Sequence, residues 1–255
     1  MGFAVSADAY DSFMGRYSVP LASRFADFAR IGGQKRVLDV GCGPGALTAE
    51  LAKRLGTAAI AAVDPSEHFV TAARVRLPEV DIRRASAEHL PFEDATYDAA
   101  LAQLVVHFMT DPVGGLAEMG RVTRTGGVVA ACVWDHAGEK GPLHTFWKAA
   151  RQLEANINDE SELAGAREGH LGELFRGAGL AAVEEGALSV AVEHPTFEDW
   201  WDPFTLGVGP AGAHVAALNG EKRTELRERC RQMLGPAPFT IPATAWAARG
   251  VTEPE

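Results

Sequence analysis

Val37-Leu38-Asp39-Val40-Gly41-Cys42-Gly43-Pro44-Gly45 is the stretch that decides the fold. A short apolar burst runs into three alternating glycines, and Ala46 to Leu55 beyond them has helical spacing, so the reading is strand, tight turn, helix. Glycine is required where the turn takes positive φ and where a ligand lies against the backbone. The free N–H groups and the positive dipole end of the following helix attract a carboxylate or phosphate.

Outward from this turn the same alternation continues. Apolar bursts at Arg36 to Val40, Ala58 to Asp64, Asp81 to Ser86, Tyr97 to Gln103 and Val128 to Trp134 alternate with helical stretches at Ala46 to Leu55, Ser66 to Arg76 and Pro112 to Val122. Repeated strand and helix imply a parallel sheet covered on both faces, and bursts rich in Val, Ile, Leu and Ala suit strands buried on both sides. Asp111-Pro112 is a cap followed by a first-turn proline. After Trp134 the pattern loosens: Asp135 to Gly169 reads as an insertion, followed by a helix at Leu171 to Ala178. Leu180 to Val192 reads as a strand broken near Gly186, Glu221 to Met233 as a charged helix and Phe239 to Arg249 as a last strand.

Composition narrows the function classes. The 255 residues are 47% hydrophobic and 23% charged, which is globular rather than disordered. A net charge of -10 repels polyanions and withholds the counterion-release contribution that nucleic-acid binding depends on, so nucleic acid is not an expected partner. Cys42, Cys132 and Cys230 form an odd set without metal-ligand spacing, which suits a reducing cytoplasm and no bound metal. Met1 to Tyr17 lacks the apolar run of a signal peptide, and no window approaches the ~20 apolar residues of a membrane span, so neither secretion nor a membrane is expected.

The turn alone leaves two ligands open. Gly41, Gly43 and Ala46 satisfy a dinucleotide fingerprint, and Asp64 lies about 20 residues further on, where a ribose-binding acid belongs. Three features favour a sulfonium-bearing amino acid instead. Asp39 adds negative charge near the mouth, which opposes a pyrophosphate; more than thirty residues precede the first strand; and no later motif suggests nicotinamide chemistry.

These blocks together resemble class I S-adenosylmethionine-dependent methyltransferases, especially the small-molecule branch of ubiquinone and menaquinone biosynthesis, over Tyr10 to about Trp134. The resemblance implies a doubly wound, seven-stranded, mostly parallel Rossmann-like α/β sheet with its last strand reversed. It further implies that Asp39, Gly41, Gly43 and Gly45 cradle the methionine part of S-adenosylmethionine. In Ala62-Val63-Asp64-Pro65-Ser66 the family's acid falls on Asp64, which holds the ribose hydroxyls beside Pro65; capping the next helix is the other role open to that carboxylate. Ala85-Ser86-Ala87-Glu88-His89-Leu90-Pro91-Phe92 is similar to the adenine-side segment, with Ser86 where the family usually has Asp. The adenine bond then comes from a neutral hydroxyl or through water, and Ala87 offers its N–H. Gln103, at the end of the fourth strand, falls on a methionine contact, and Thr125 before Gly126-Gly127 replaces a usual proline. Ala9 to Tyr17 resembles a helix closing over the cofactor, with Tyr10, Arg16 and Tyr17 as contacts; simple packing is the alternative.

The expected reaction is methyl transfer to a small-molecule acceptor by in-line displacement, aided mainly by alignment. His107, a few residues past the fourth strand, is the candidate general base, which wants a pKa near working pH; capping or packing is its bland alternative. Trp200, Trp201 and Phe204 either roof the acceptor or pack the core. The chain divides into a helical cover (1–34), a cofactor-binding core (35–134), and a substrate-side insertion with the last strands (135–255). A nicotinamide-dependent oxidoreductase and a non-catalytic S-adenosylmethionine-binding protein are the competing readings.

Overall fold

The computed structural model describes residues 6–33, 35–154, 157 and 159–253. In chain order it contains α1 (Ala7–Tyr10), a π-helical turn (Asp11–Gly15), α2 (Arg16–Phe28), β1 (Val37–Val40), α3 (Ala46–Leu55), β2 (Ile60–Asp64), α4 (Glu67–Arg76), β3 (Asp81–Arg84) and β4 (Tyr97–Gln103). There follow α5 (Pro112–Val122), β5 (Thr123–Trp134), α6 (His144–Leu153), α7 (His170–Gly177), β6 (Ala181–His194), α8 (Phe197–Trp201), α9 (Gly209–Ala217), α10 (Gly220–Leu234) and β7 (Phe239–Val251).

The seven strands form one sheet in the order β3-β2-β1-β4-β5-β7-β6. β1 to β5 pair in parallel, and β7 runs antiparallel to both β5 and β6. This is the expected seven-stranded, mostly parallel α/β sheet with one reversed strand. β1 and β2 are buried along their whole length because helices cover both faces. Alternation divides their side chains: Val37 joins Leu21, Phe25 and Leu51 on the face carrying α2 and α3, whereas Leu38 joins Leu116, Met119 and Phe175 on the face carrying α5 and α7. The chain leaves β1 toward β2 and returns to β4 on the other side, and a crevice forms at that switch, beyond the carboxyl ends of β1, β2 and β4.

Local signals behave as read at α5, where Asp111 Oδ1 accepts from Gly114 N at 2.9 Å and Pro112 occupies the first turn. Two readings are corrected. β6 runs through Gly186 without a break, because the missing side chain makes room for α2: a Cβ there would lie 3.0 Å from Phe28 Cε2. β5 begins at Thr123, ahead of the Gly126-Gly127 pair expected to precede it, and Gly126 N is tied to Thr252 O at 2.9 Å. Trp200, Trp201 and Phe204 are buried against Phe146 and Phe197 as core, with Phe204 stacked on Phe146 at 4.6 Å between centroids.

Candidate functional site

The strand ends open into a cleft of about 520 Å³, within the size range of small-molecule sites. Gly41, Gly43, Asp64, Pro65, Ser86, Ala87, Gln103 and Tyr10 line it, so eight of the residues singled out from sequence converge on one space. The glycine turn has the backbone it was expected to need: φ is +72° at Gly41, +54° at Gly43 and +101° at Gly45, the residue capping α3. Gly41 N and Cys42 N both donate to Val63 O, at 2.8 and 2.9 Å, which pins the turn to the end of β2. Gly45 caps the helix behind this surface and is not among the lining residues.

Asp64 takes up the helix-side role and faces the cleft as well. Its Oδ2 accepts from Gly43 N and its Oδ1 from Ser66 N, each at 2.8 Å, so it ties the glycine turn to the start of α4 while facing the cleft. Each carboxylate oxygen has a further lone pair for a ligand hydroxyl. Burial pushes its pKa up, and the two backbone donors oppose that shift.

Asp39 lies deeper than the sequence suggested. Its carboxyl is buried against the first turn of α3, where Oδ2 accepts from the Thr48 hydroxyl at 2.6 Å, and Oδ1 has no hydrogen-bond partner among the described residues. Burial, outweighing the Thr48 bond, pushes its pKa up to about 7. An acid whose pKa is raised on folding binds its proton more tightly when folded, so its ionisation costs stability as pH climbs from the unfolded value towards neutrality. Asp39→Asn is therefore expected to gain ~2–4 kcal/mol relative to wild type between pH 5 and pH 8. Denaturant unfolding of both proteins at the two pH values measures it; equal pH dependence contradicts it.

The other lining residues bring acceptors and apolar walls. Gln103 Nε2 donates to Ser18 O at 3.0 Å, which fixes the amide, and its Oε1 is buried and unpartnered among the described residues. Phe69, Phe108 and Met109 supply walls that the sequence reading missed, and Tyr10 packs edge-on against Phe69 at 5.3 Å. Glu88 was missed as well: its Oε1 accepts from Thr110 N at 2.9 Å, fastening the Ser86-Ala87 loop to the segment after β4. Those walls carry no motif of their own, since an aromatic after a strand reads equally well as core.

Arg16 does not reach the cleft. Its guanidinium forks onto Asp199, Nη1 to Oδ2 at 2.8 Å and Nη2 to Oδ1 at 3.0 Å, and His194 bridges Asp199 to the Tyr17 hydroxyl. The expected cofactor contacts Arg16 and Tyr17 are thus replaced by a latch between α2 and α8, because a fixed carboxylate offers a better bidentate partner than the solvent-facing cleft edge. Arg16→Ala is expected to cost ~1–2 kcal/mol of stability, while leaving affinity for S-adenosylhomocysteine within about twofold. Thermal melts and calorimetric titration of the variant check both halves.

His107 sits on the short 3-10 turn after β4 and lines a second, smaller cavity of about 40 Å³ that shares Tyr10, Leu104 and Phe108 with the cleft. Its Nδ1 is buried with no partner among the described residues. Burial, and then the neighbouring His136, holds its pKa well below the ordinary histidine value, so the ring is neutral rather than poised near working pH as a general base would be. His136, just past the end of β5, and Glu160, from the irregular insertion, share the cavity with His107.

The family described as "Methyltransferase domain" matches residues 38–131. Phosphatidylethanolamine N-methyltransferase of Cereibacter sphaeroides is 31% identical over 161 residues, covering 61% of this chain and 77% of that protein. A chloroplastic 2-methyl-6-phytyl-1,4-hydroquinone methyltransferase of Oryza sativa subsp. japonica is 37% identical over 115 residues, 44% of this chain and 31% of that one. The chain spans only about a third to a half of the length of most of the curated relatives it matches. In fold it is similar to a phospholethanolamine N-methyltransferase of Haemonchus contortus solved with S-adenosylhomocysteine, with a TM-score of 0.58 at 15% identity over 97% of this chain and 57% of that one.

Proposed function

The chain belongs to the class I S-adenosylmethionine-dependent methyltransferases, and from that membership we propose that it transfers a methyl group to a small-molecule acceptor by in-line displacement. The single observation that carries the reading is the cleft itself, where Gly41 and Gly43 at positive φ, Asp64 and Gln103 line one space. These residues fit the donor. The Gly41 to Gly43 backbone and Gln103 suit an amino-acid end bearing an ammonium, and a cation bound there would favour the ionised form of the buried Asp39 carboxyl behind them. Asp64 suits two ribose hydroxyls, and Ser86 and Ala87 suit the edge of an adenine, with Pro65 and Tyr10 covering it. The glycine turn and Asp64 would serve the competing nicotinamide reading as well; the methyltransferase relatives are what favour the sulfonium donor.

When bound, S-adenosylmethionine supplies a methyl group already activated on a sulfonium. The protein's work is then to hold donor and acceptor in line and to exclude water, which supplies several kcal/mol through orientation. Among the described residues no helix is long and apolar enough to cross a membrane. A cytoplasmic setting belongs to the proposal and is supported by three cysteines that are all free and buried.

Incubation with methyl-labelled S-adenosylmethionine and a panel of small hydroxylated and amine metabolites, followed by mass spectrometry, tests the activity. The expected result is a labelled product from at least one metabolite, lost when Asp64 is replaced. Label that accumulates only on the protein, with or without Asp64, sinks the proposal.

A further inference from the structure

We propose that Arg76, the last residue of α4, is a positioning residue that holds the Tyr10-bearing segment shut beside the cleft, and that parting of its ion pair with Asp11 opens the route by which the donor enters and leaves. The inference rests on the reading that this cleft holds the donor.

The segment from α1 through the π-helical turn runs as a strap from α4 towards α8, and its two ends are fastened differently. At the α8 end Phe13 is buried edge-on against Phe204, at 5.0 Å between centroids, Trp134 Nε1 donates to Met14 Sδ at 3.2 Å, and the Arg16 fork onto Asp199 follows. At the α4 end the ties lie near the surface. Arg76 Nη2 donates to Asp11 Oδ2 and stands 3.9 Å from Asp8 Oδ1, while Nη1 donates to Pro44 O at 3.3 Å. Tyr10, between these two acids in the chain, packs on Phe69 and lines both the cleft and the smaller cavity.

One guanidinium therefore joins the strap to the glycine turn, since Pro44 lies between Gly43 and Gly45. The pairing is built in from both sides. An arginine in the last turn of α4 suits the negative end of that helix, and Gly15 leaves room for the acid, because a Cβ there would lie 2.9 Å from Asp11 Oδ1. The Arg76 and Asp11 side chains are each 39% exposed, so water and salt compete for the pair, and it parts more readily than the buried aromatics and the bidentate fork at the other end. Opening thus starts at α4. The π-helical turn between the two fastenings interrupts regular α-helical bonding and is where the strap bends. Swinging the α4 end outward carries Tyr10 off Phe69, and since both rings are walls of the cleft, the cleft opens.

The test flows S-adenosylhomocysteine over the immobilised protein and reads association and dissociation by surface plasmon resonance. This ligand carries no net charge near neutral pH, so salt acts on the strap rather than on the encounter. Arg76→Gln is expected to release it about three- to tenfold faster than wild type, with association no slower. Arg76→Glu combined with Asp11→Arg should bring the dissociation rate back to within about twofold of wild type, a rescue that a merely structural role would not give. Raising salt from about 0.05 M to 0.5 M should carry wild-type dissociation towards that of Arg76→Gln and leave the variant's own rate within about twofold. In the ligand-free protein, amide hydrogen exchange at residues 7–15 should quicken in Arg76→Gln while exchange in α5 stays as in wild type. Wild-type rates and exchange in Arg76→Gln, slower association, or no rescue by the charge swap overturns the strap while the donor cleft stands. Wild-type protein that does not bind S-adenosylhomocysteine overturns the donor reading beneath it. The salt dependence of wild-type dissociation decides the matter even if a variant does not fold.

Discussion

Asp64→Ala is expected to weaken S-adenosylmethionine binding by about a hundredfold. A charged acceptor bonded to a hydroxyl is worth about 1.5–3 kcal/mol, and the proposed ribose contact uses two, discounted because the free carboxylate is already part-solvated. The same side chain also holds the turn: Gly43 N and Ser66 N, each 2.8 Å from a carboxylate oxygen, lose their acceptor together. Asp64→Asn separates the two effects only partly. One oxygen of the pair becomes an NH₂ that must face a backbone N–H donor, so Asn is expected to bind the donor at least tenfold more weakly than Asp. Calorimetric titration of wild type and both variants reads these losses; affinity retained in Asp64→Ala contradicts the assignment.

The second large effect is expected at Gly41→Ala. A Cβ there would lie 2.4 Å from Val105 Cγ2, and φ of +72° is strained for any residue with a side chain. The left-handed backbone alone costs ~1–2 kcal/mol, and relief of the clash must push Val105 into the cleft wall or the turn away from Val63 O. The expected outcome is a loss of at least ~2 kcal/mol in stability and of more than tenfold in donor affinity. Gly41→Ala combined with Val105→Ala should recover the part due to the clash and not the part due to φ, which a double-mutant cycle resolves. A Gly41→Ala protein with wild-type melting and affinity contradicts this account of the turn.

Why these positions were legible in the sequence follows from locality. The strand, the three glycines and the helix of Val37 to Leu55 lie within one unit, and Asp64 and Gln103 are the last residues of buried strands, so parallel pairing alone brings them to one end of the sheet. Cofactor-side residues were therefore readable from strand ends. Arg16 was not, because its partner Asp199 lies 183 residues away on α8, and a carboxylate at that distance leaves no mark beside an arginine on an aromatic helix. The continuity of β6 through Gly186 likewise depends on Phe28, a residue of another layer. His136 stands near His107 because β4 and β5 pair in parallel and each residue follows its strand's end, whereas Glu160 sits in irregular chain where periodicity carries no information. The pKa of His107 depends on its burial and on His136, which is why a base tuned to neutrality was expected and a neutral buried ring was found.

The central claim is that the cleft at the ends of β1, β2 and β4 holds the sulfonium donor, and isothermal titration of the wild-type protein with S-adenosylhomocysteine measures it most directly. The account predicts saturable binding at one site per chain, abolished or weakened about a hundredfold by Asp64→Ala and left unchanged by Arg16→Ala. No saturable binding, or binding indifferent to Asp64, would contradict it.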